Sequence, residues 1–217
     1  MKKTVLKILS MMLLSLPVAG VFAGDSVESA KNLLKYDFSK LSKSGVPLGY
    51  TFFPGKDKKG KISVSGAEGV NVVKLERSEQ GRIFIDSAFL MDIKKNKKYV
   101  LTVQLKIENQ KYTGKGIHFF YVCAYNTGNN KHIYNKILGH GGSGGWMTVV
   151  LVIDTVKEPL LAGAKLLIRG YGVSGTYFLK KPMLVKIPND IEVQSHYILE
   201  NEKTVPGGLL RLGTIKK

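Results

Sequence analysis

The chain has one cysteine, Cys123, one tryptophan, Trp146, and only four arginines among its 217 residues. A single thiol cannot form an intramolecular disulfide, so no cross-link holds the fold together. Cys123 falls in step with Ile117, Phe119 and Tyr121 along an apolar run, a position for a buried, inert thiol rather than a nucleophile. Acidic residues are scarce, 16 against 33 lysines and arginines, for a formal charge of +17. Glycoside hydrolysis requires two carboxyl groups held across a cleft. Here Glu68, Glu76, Glu79, Asp86, Asp92, Asp154 and Glu158 lie mostly at turns or beside lysine or arginine. The one Gly-x-Ser-x-Gly spacing, 141–145, lies inside a glycine run that leads into a strand rather than a helix, so it is no nucleophile elbow, and there is no Cys-His pairing signature; the expectation is a protein that is not an enzyme. The four histidines, His118, His132, His140 and His196, lack zinc spacing, so no cofactor is expected. The glycine run at 139–145 lacks the Lys-Ser or Lys-Thr ending of a phosphate loop. Beyond the first 23 residues no helix-period segment or repeat occurs.

The one long apolar block, Ile8 to Val21, follows Lys2, Lys3 and Lys7 and ends in Val21-Phe22-Ala23. Residues 1–23 therefore read as a secretory signal peptide, too short and wrongly flanked for a membrane span. The expected product is secreted or periplasmic, with a short leader at 24–31. Lysine carries nearly all of the positive charge. Nucleic-acid readers lean on arginine for bidentate contacts, and an exported protein rarely meets nucleic acid, so the field points instead to an anionic polysaccharide or envelope surface. Solubility and protection of edge strands are the competing reason for the lysines. Both clusters, Lys56 to Lys61 and Lys94 to Lys98, read as solvated turns without interleaved aromatics.

What remains is strand. Met147, Val149, Leu151 and Ile153 alternate with Thr148, Val150 and Val152, which is the period of a strand buried on at least one face. Ala164 to Gly170 and Gly175 to Lys186 predict two more strands. Val70 to Leu75 and Arg82 to Ile85 predict a hairpin turning at Glu79-Gln80-Gly81. Tyr99, Leu101, Val103, Leu105 and Ile107 predict a core face, with Val100, Thr102, Gln104 and Lys106 opposite. Strands in succession without helices mean an antiparallel all-β domain.

Trp146 opening a strand, a following strand that ends in Gly170, and Gly175-Thr176-Tyr177-Phe178 leading into a closing strand resemble the last third of a jelly-roll carbohydrate-binding module of the galactose-binding-like superfamily. Asn32-Leu33-Leu34, Asp37-Phe38, Gly45 to Tyr50 and Lys97 to Val103 fall in the order such modules show. The resemblance covers roughly residues 32–187 and implies a two-sheet antiparallel jelly-roll β-sandwich, with 188–217 as a further strand or tail. It also implies a concave face where aromatics stack on sugar rings. Ile117 to Tyr125 is apolar on both faces, so it is either a strand covered on both sides or a binding platform. The candidates are Gln104, Lys106, His118 and Phe120, which two neighbouring strands could present together, with core packing as the competing reading of Phe120. Tyr121 and Tyr125 are assigned to core and rim, Trp146 to burial, and Tyr50 and Tyr134 are the exposed aromatics to test next. The calcium-binding position of such modules is filled here by Lys180, Lys181 and Pro182, and lysine opposes calcium, so no metal is expected. These features point to non-catalytic binding of a polysaccharide or cell-envelope glycan, with an anionic one as the candidate. The alternative is a structural or adhesive envelope protein that uses the same fold to contact a protein partner.

Overall fold

The computed structural model describes residues 31–67, 70–111, 119–137, 145–190 and 197–199. The expected signal peptide and leader, His118, and most of the glycine run and of the C-terminal tail lie outside them. Nine strands are described: β1 (Tyr50–Phe53), β2 (Gly60–Ala67), β3 (Val70–Ser87), β4 (Lys98–Lys111), β5 (Phe119–Asn126), β6 (Lys131–Ile137), β7 (Met147–Asp154), β8 (Lys165–Ile187) and β9 (Tyr197–Leu199). All of their pairings are antiparallel.

Two long strands organise the domain. The C-terminal part of β3 pairs with β1 and with the N-terminal half of β8, which pairs in turn with β5 and through it with β6. The N-terminal part of β3 pairs with β2 and with the C-terminal half of β8, which continues to β4, β7 and β9. The front sheet is therefore β1-β3-β8-β5-β6 and the back sheet β2-β3-β8-β4-β7-β9. β3 and β8 run through both, giving the antiparallel jelly-roll β-sandwich.

This corrects two of the expected turns. Val70 to Ile85 is one strand with an irregular register between Arg77 and Ile83, not a hairpin; the hairpin joins β2 to β3. Ala164 to Lys186 is likewise one strand apart from its first residue, passing through Gly172 and Gly175 at φ 59° and 134°. Both passages break the two-residue period without ending the hydrogen-bonded ladder, as bulges do. The bend in β3 is filled by Arg77, whose side chain is 1 % exposed. Its guanidinium donates to the carbonyls of Pro54 (2.9 Å), Gln80 (3.3 Å) and Arg82 (3.4 Å) and to both carboxylate oxygens of Asp57. A Cβ on Gly81 would overlap that guanidinium, so the bend needs glycine beside it.

The core lies between the sheets. Tyr99, Leu101, Val103, Leu105 and Ile107 of β4 are buried as their alternation predicts, opposite Ile153, Leu151, Val149 and Met147 of β7. The front sheet contributes Ile83, Ile85, Phe120, Val122, Ala124, Leu166 and Ile168. Asn135 of β6, itself buried, donates from Nδ2 to the Val150 carbonyl of β7 at 3.1 Å and ties the two layers together. Among the described residues no helix is long and apolar enough to cross a membrane.

Candidate ligand-binding groove

The outer face of the front sheet is built from the parity of each strand that does not enter the core. Phe120, Val122 and Ala124 point inward, so Phe119, Tyr121, Cys123 and Tyr125 point outward. On β6 the outward set is His132, Tyr134 and Lys136, and on β8 it is Leu167, Arg169 and Tyr171. Arg82 and Phe84 extend the face across β3, and Phe53 ends it on β1. Cross-strand register aligns Phe53, Phe84, Arg169, Tyr121 and Lys136 in one row over five strands, a width of about 19 Å at the usual strand spacing.

All of these side chains except Phe84 and Phe53 line an open groove of about 730 Å³. Its rings form a continuous cluster. Tyr121 and Tyr171 have parallel planes, 5° apart, with centroids 5.9 Å apart. Phe119 lies 5.3 Å from Tyr121 and 5.9 Å from Tyr171. Tyr134 is 6.0 Å from Tyr121 and stacks on His132 at 5.5 Å. At the other end Phe84 meets Tyr171 at 4.9 Å and Phe53 at 5.2 Å. Phe53 and Tyr134 are each 36 % exposed, and the rings between them are half-buried. Rings held at this depth keep accessible surface while their neighbours fix their orientation.

Cations sit over the rings. The Arg169 guanidinium is 4.9 Å from the Phe84 centroid, Arg82 is 5.2 Å from Tyr171, and Lys136 Nζ is 4.7 Å from Phe119 and 5.3 Å from Tyr134. Arg169 donates from Nε to Asp86 Oδ1 (2.9 Å) and Oδ2 (3.1 Å) and from Nη2 to Oδ2 (2.6 Å). Burial works against its charge, but the hydrogen bonds and charge of Asp86 outweigh that and hold the guanidinium above its ordinary value. Burial, and then the neighbouring Tyr171 phenol, raise Tyr121 well above the usual phenol range, so it meets a ligand as a neutral hydroxyl. Cys123, 3 % exposed, lies in the floor of the groove, and its thiol is pushed up to about 12, chiefly by burial. It is an inert part of the wall, as its sequence context predicts.

The residues named from sequence are placed differently. Phe120 is 0 % exposed and stacks on Tyr177 of the back sheet at 4.3 Å, so of its two readings core packing holds and its place among the ligand-face candidates is corrected. Tyr50 is also buried, donating from its hydroxyl to the Tyr36 carbonyl at 3.0 Å, and is not an exposed aromatic. Gln104 and Lys106 lie on β4, in the back sheet, where Gln104 is buried and Lys106 is paired with Glu108 at 2.6 Å and stands 5.2 Å from the Phe178 ring. β4 and β5 pair with opposite halves of β8, so Gln104 and Lys106 cannot share a face with β5. Trp146 is half-buried, with Lys180 Nζ 3.9 Å from its ring centroid. Among the described candidates Tyr134 alone borders the groove. Tyr121 and Tyr125, assigned to core and rim, line the groove instead. Its principal residues were legible in one respect: His132, Tyr134 and Lys136 alternate with Ile133, Asn135 and Ile137, and Leu167, Arg169 and Tyr171 with Leu166, Ile168 and Gly170. In both strands the polar-tipped parity is the outward one.

Among the described residues no group of three His, Cys, Asp or Glu side chains could hold a metal ion. No protein-family model matches the chain, and no curated protein matches it in sequence. Solved structures do match in fold. The CBM22-1 xylan-binding domain from Paenibacillus barcinonensis is 12 % identical, with a TM-score of 0.46 over 75 % of this chain and 98 % of that one. The enzymatically active domain of bacteriophage CBA120 tailspike protein 4 is 11 % identical, with a TM-score of 0.52 over 72 % of this chain and 21 % of that one. A CBM61 in complex with β-1,4-galactotriose is 13 % identical, with a TM-score of 0.44 over 73 % and 100 %. The chain is similar in fold to jelly-roll carbohydrate-binding modules.

Proposed function

We propose that this is a secreted, non-catalytic glycan-binding protein that takes a polysaccharide, with an anionic one as the candidate, in the groove of its front sheet. The observation that carries the reading is the cluster of half-exposed rings formed by Phe119, Tyr121, Tyr171 and Tyr134 on a continuous β-sheet face. The C–H faces of a pyranose pack on such rings, and the sugar hydroxyls reach the phenols and guanidinium groups at their edges. The fold similarity to modules that bind xylan and galactotriose fits the same reading. A non-catalytic role is supported by the groove's chemistry. Among the described residues none of those lining it carries a carboxylate, and the nearby Asp86 is held by Arg169, whereas glycoside hydrolysis needs two carboxyl groups.

The test is a glycan array followed by affinity gels on the full chain, with Tyr121→Ala and Tyr171→Ala beside it. Binding to a defined polysaccharide that either change weakens at least tenfold is the expected result, a loss of the size expected for an aromatic anchor at a recognition surface. A folded protein that retains no glycan sinks the reading and leaves the fold as a scaffold for protein contacts.

A further inference from the structure

The geometry points to a ligand that carries acidic groups at intervals along the sugar chain, read by Arg82 and Lys136 from the two sides of the ring cluster. This rests on the glycan-binding reading above and specifies its substrate class. Arg82 belongs to β3 and Lys136 to β6, with β8 and β5 between them. That is three strand spacings, about 14 Å at the backbone, and the rings of Tyr171, Tyr121 and Phe119 occupy the interval. Both side chains are exposed, and each is held over the rings by a cation–π contact, Arg82 on Tyr171 and Lys136 on Phe119 and Tyr134.

The two cations differ from the other charges of the face in what they bond. Arg169 is committed to Asp86 through three hydrogen bonds. Among the described residues neither Arg82 nor Lys136 is in an ion pair, whereas Arg169, the other cation lining the groove, is paired with Asp86. Two uncompensated cations therefore border a groove whose described lining has no carboxylate. A neutral sugar in that groove would leave both charges without a counter-charge and partly desolvated. A uronate or sulfate group beside a stacked ring would meet each with a charge-assisted hydrogen bond. The two cations stand over different rings, Arg82 over Tyr171 and Lys136 over Phe119 and Tyr134, which favours a chain with repeated acid groups over one bearing a single acidic end. Carboxylate and sulfate oxygens are the shared chemistry, and the ligands below separate them.

The experiment is calorimetric titration of the full-length protein with polygalacturonate, with a sulfated glycan, with neutral xylan, and with polyglutamate as a polyanion without sugar rings. It is run at low and high salt on the native chain and on Arg82→Gln, Lys136→Gln, Tyr121→Ala and the distant control Lys56→Gln. We expect one of the acidic glycans to bind more tightly than xylan and polyglutamate and to weaken with salt. Arg82→Gln and Lys136→Gln should each weaken it about tenfold, the scale of one charge-assisted hydrogen bond, with Lys56→Gln unchanged. Xylan bound as tightly as the acidic glycans, or acidic binding insensitive to both charge changes, overturns the acidic class while leaving glycan binding in place if Tyr121→Ala abolishes it. Polyglutamate bound as tightly as the acidic glycans also overturns it. Absence of binding to every glycan overturns both readings together.

Discussion

Phe120 and Tyr177 lie face to face across the two sheets, ring centroids 4.3 Å and planes 8° apart. Through the two-residue period of β5, this contact turns Phe119 and Tyr121 outward. One parity of β5 therefore carries stability and the other the groove. Phe120→Ala should cost about 3–5 kcal/mol, the loss of a fully buried aromatic, measured by urea denaturation. Tyr121→Ala should cost less stability and act on ligand affinity instead. The reverse ranking of the two stabilities would put the parity assignment in error.

Arg77 holds the bend at which β3 passes from the back sheet to the front. Arg77→Ala strands the Pro54, Gln80 and Arg82 carbonyls it serves and should destabilise by about 3 kcal/mol. Gly81→Ala introduces a methyl against the guanidinium and should cost about 1–3 kcal/mol. Because the clash in the second variant is with the side chain removed in the first, the double variant should lose less than the sum. Additivity in a double-mutant cycle would refute that coupling.

The hydrogen bonds from Arg77 hold the Asp57 carboxyl below the usual aspartate range. A carboxyl with a depressed folded value adds stability above its unfolded value, and that stability is lost as pH falls through the folded one. Asp57→Asn should therefore flatten the acid limb of the stability profile and leave the alkaline limb unchanged. A parallel acid limb in the variant would show that the Asp57 to Arg77 contact does not set it.

Cys123 is pushed up to about 12 by burial. Its contribution to stability is present below the ordinary thiol range and is lost as pH rises toward the folded value. The native protein should resist iodoacetamide at mildly alkaline pH and become alkylated on unfolding in urea. Fast labelling of the folded chain, read by mass spectrometry, would contradict this placement.

At Arg169, the lysine variant keeps the charge but not the fork that grips both oxygens of Asp86. Arg169→Lys should lose about 1–2 kcal/mol of stability, with the Asp86→Ala, Arg169→Ala cycle giving a coupling of similar size. A coupling near zero would mean that solvent has replaced the pair.

That the chain folds as antiparallel strands was legible in the sequence, because β4 and β7 place a large apolar residue at every second position, and a pleated strand that faces a core must show that period. The sequence also determined the basic surface and the lone, inert thiol. It left open where strands end and which way β5 faces. Gly172, Gly175 and the Gln80-Gly81 passage break the two-residue period as a turn does, yet in the fold they are bends inside β8 and β3, since partner strands continue the ladder on both sides. β5 is apolar on both faces, so its pattern has no preferred inside. Gly170 lies opposite Phe120 in the neighbouring strand, and a Cβ there would stand 3.2 Å from the Phe120 ring. The space that glycine leaves, with Tyr177 stacked beyond it, decides that Phe120 is buried. Which aromatics are left to meet a ligand is therefore a property of packing between strands distant in sequence, and it exists only once both sheets have formed.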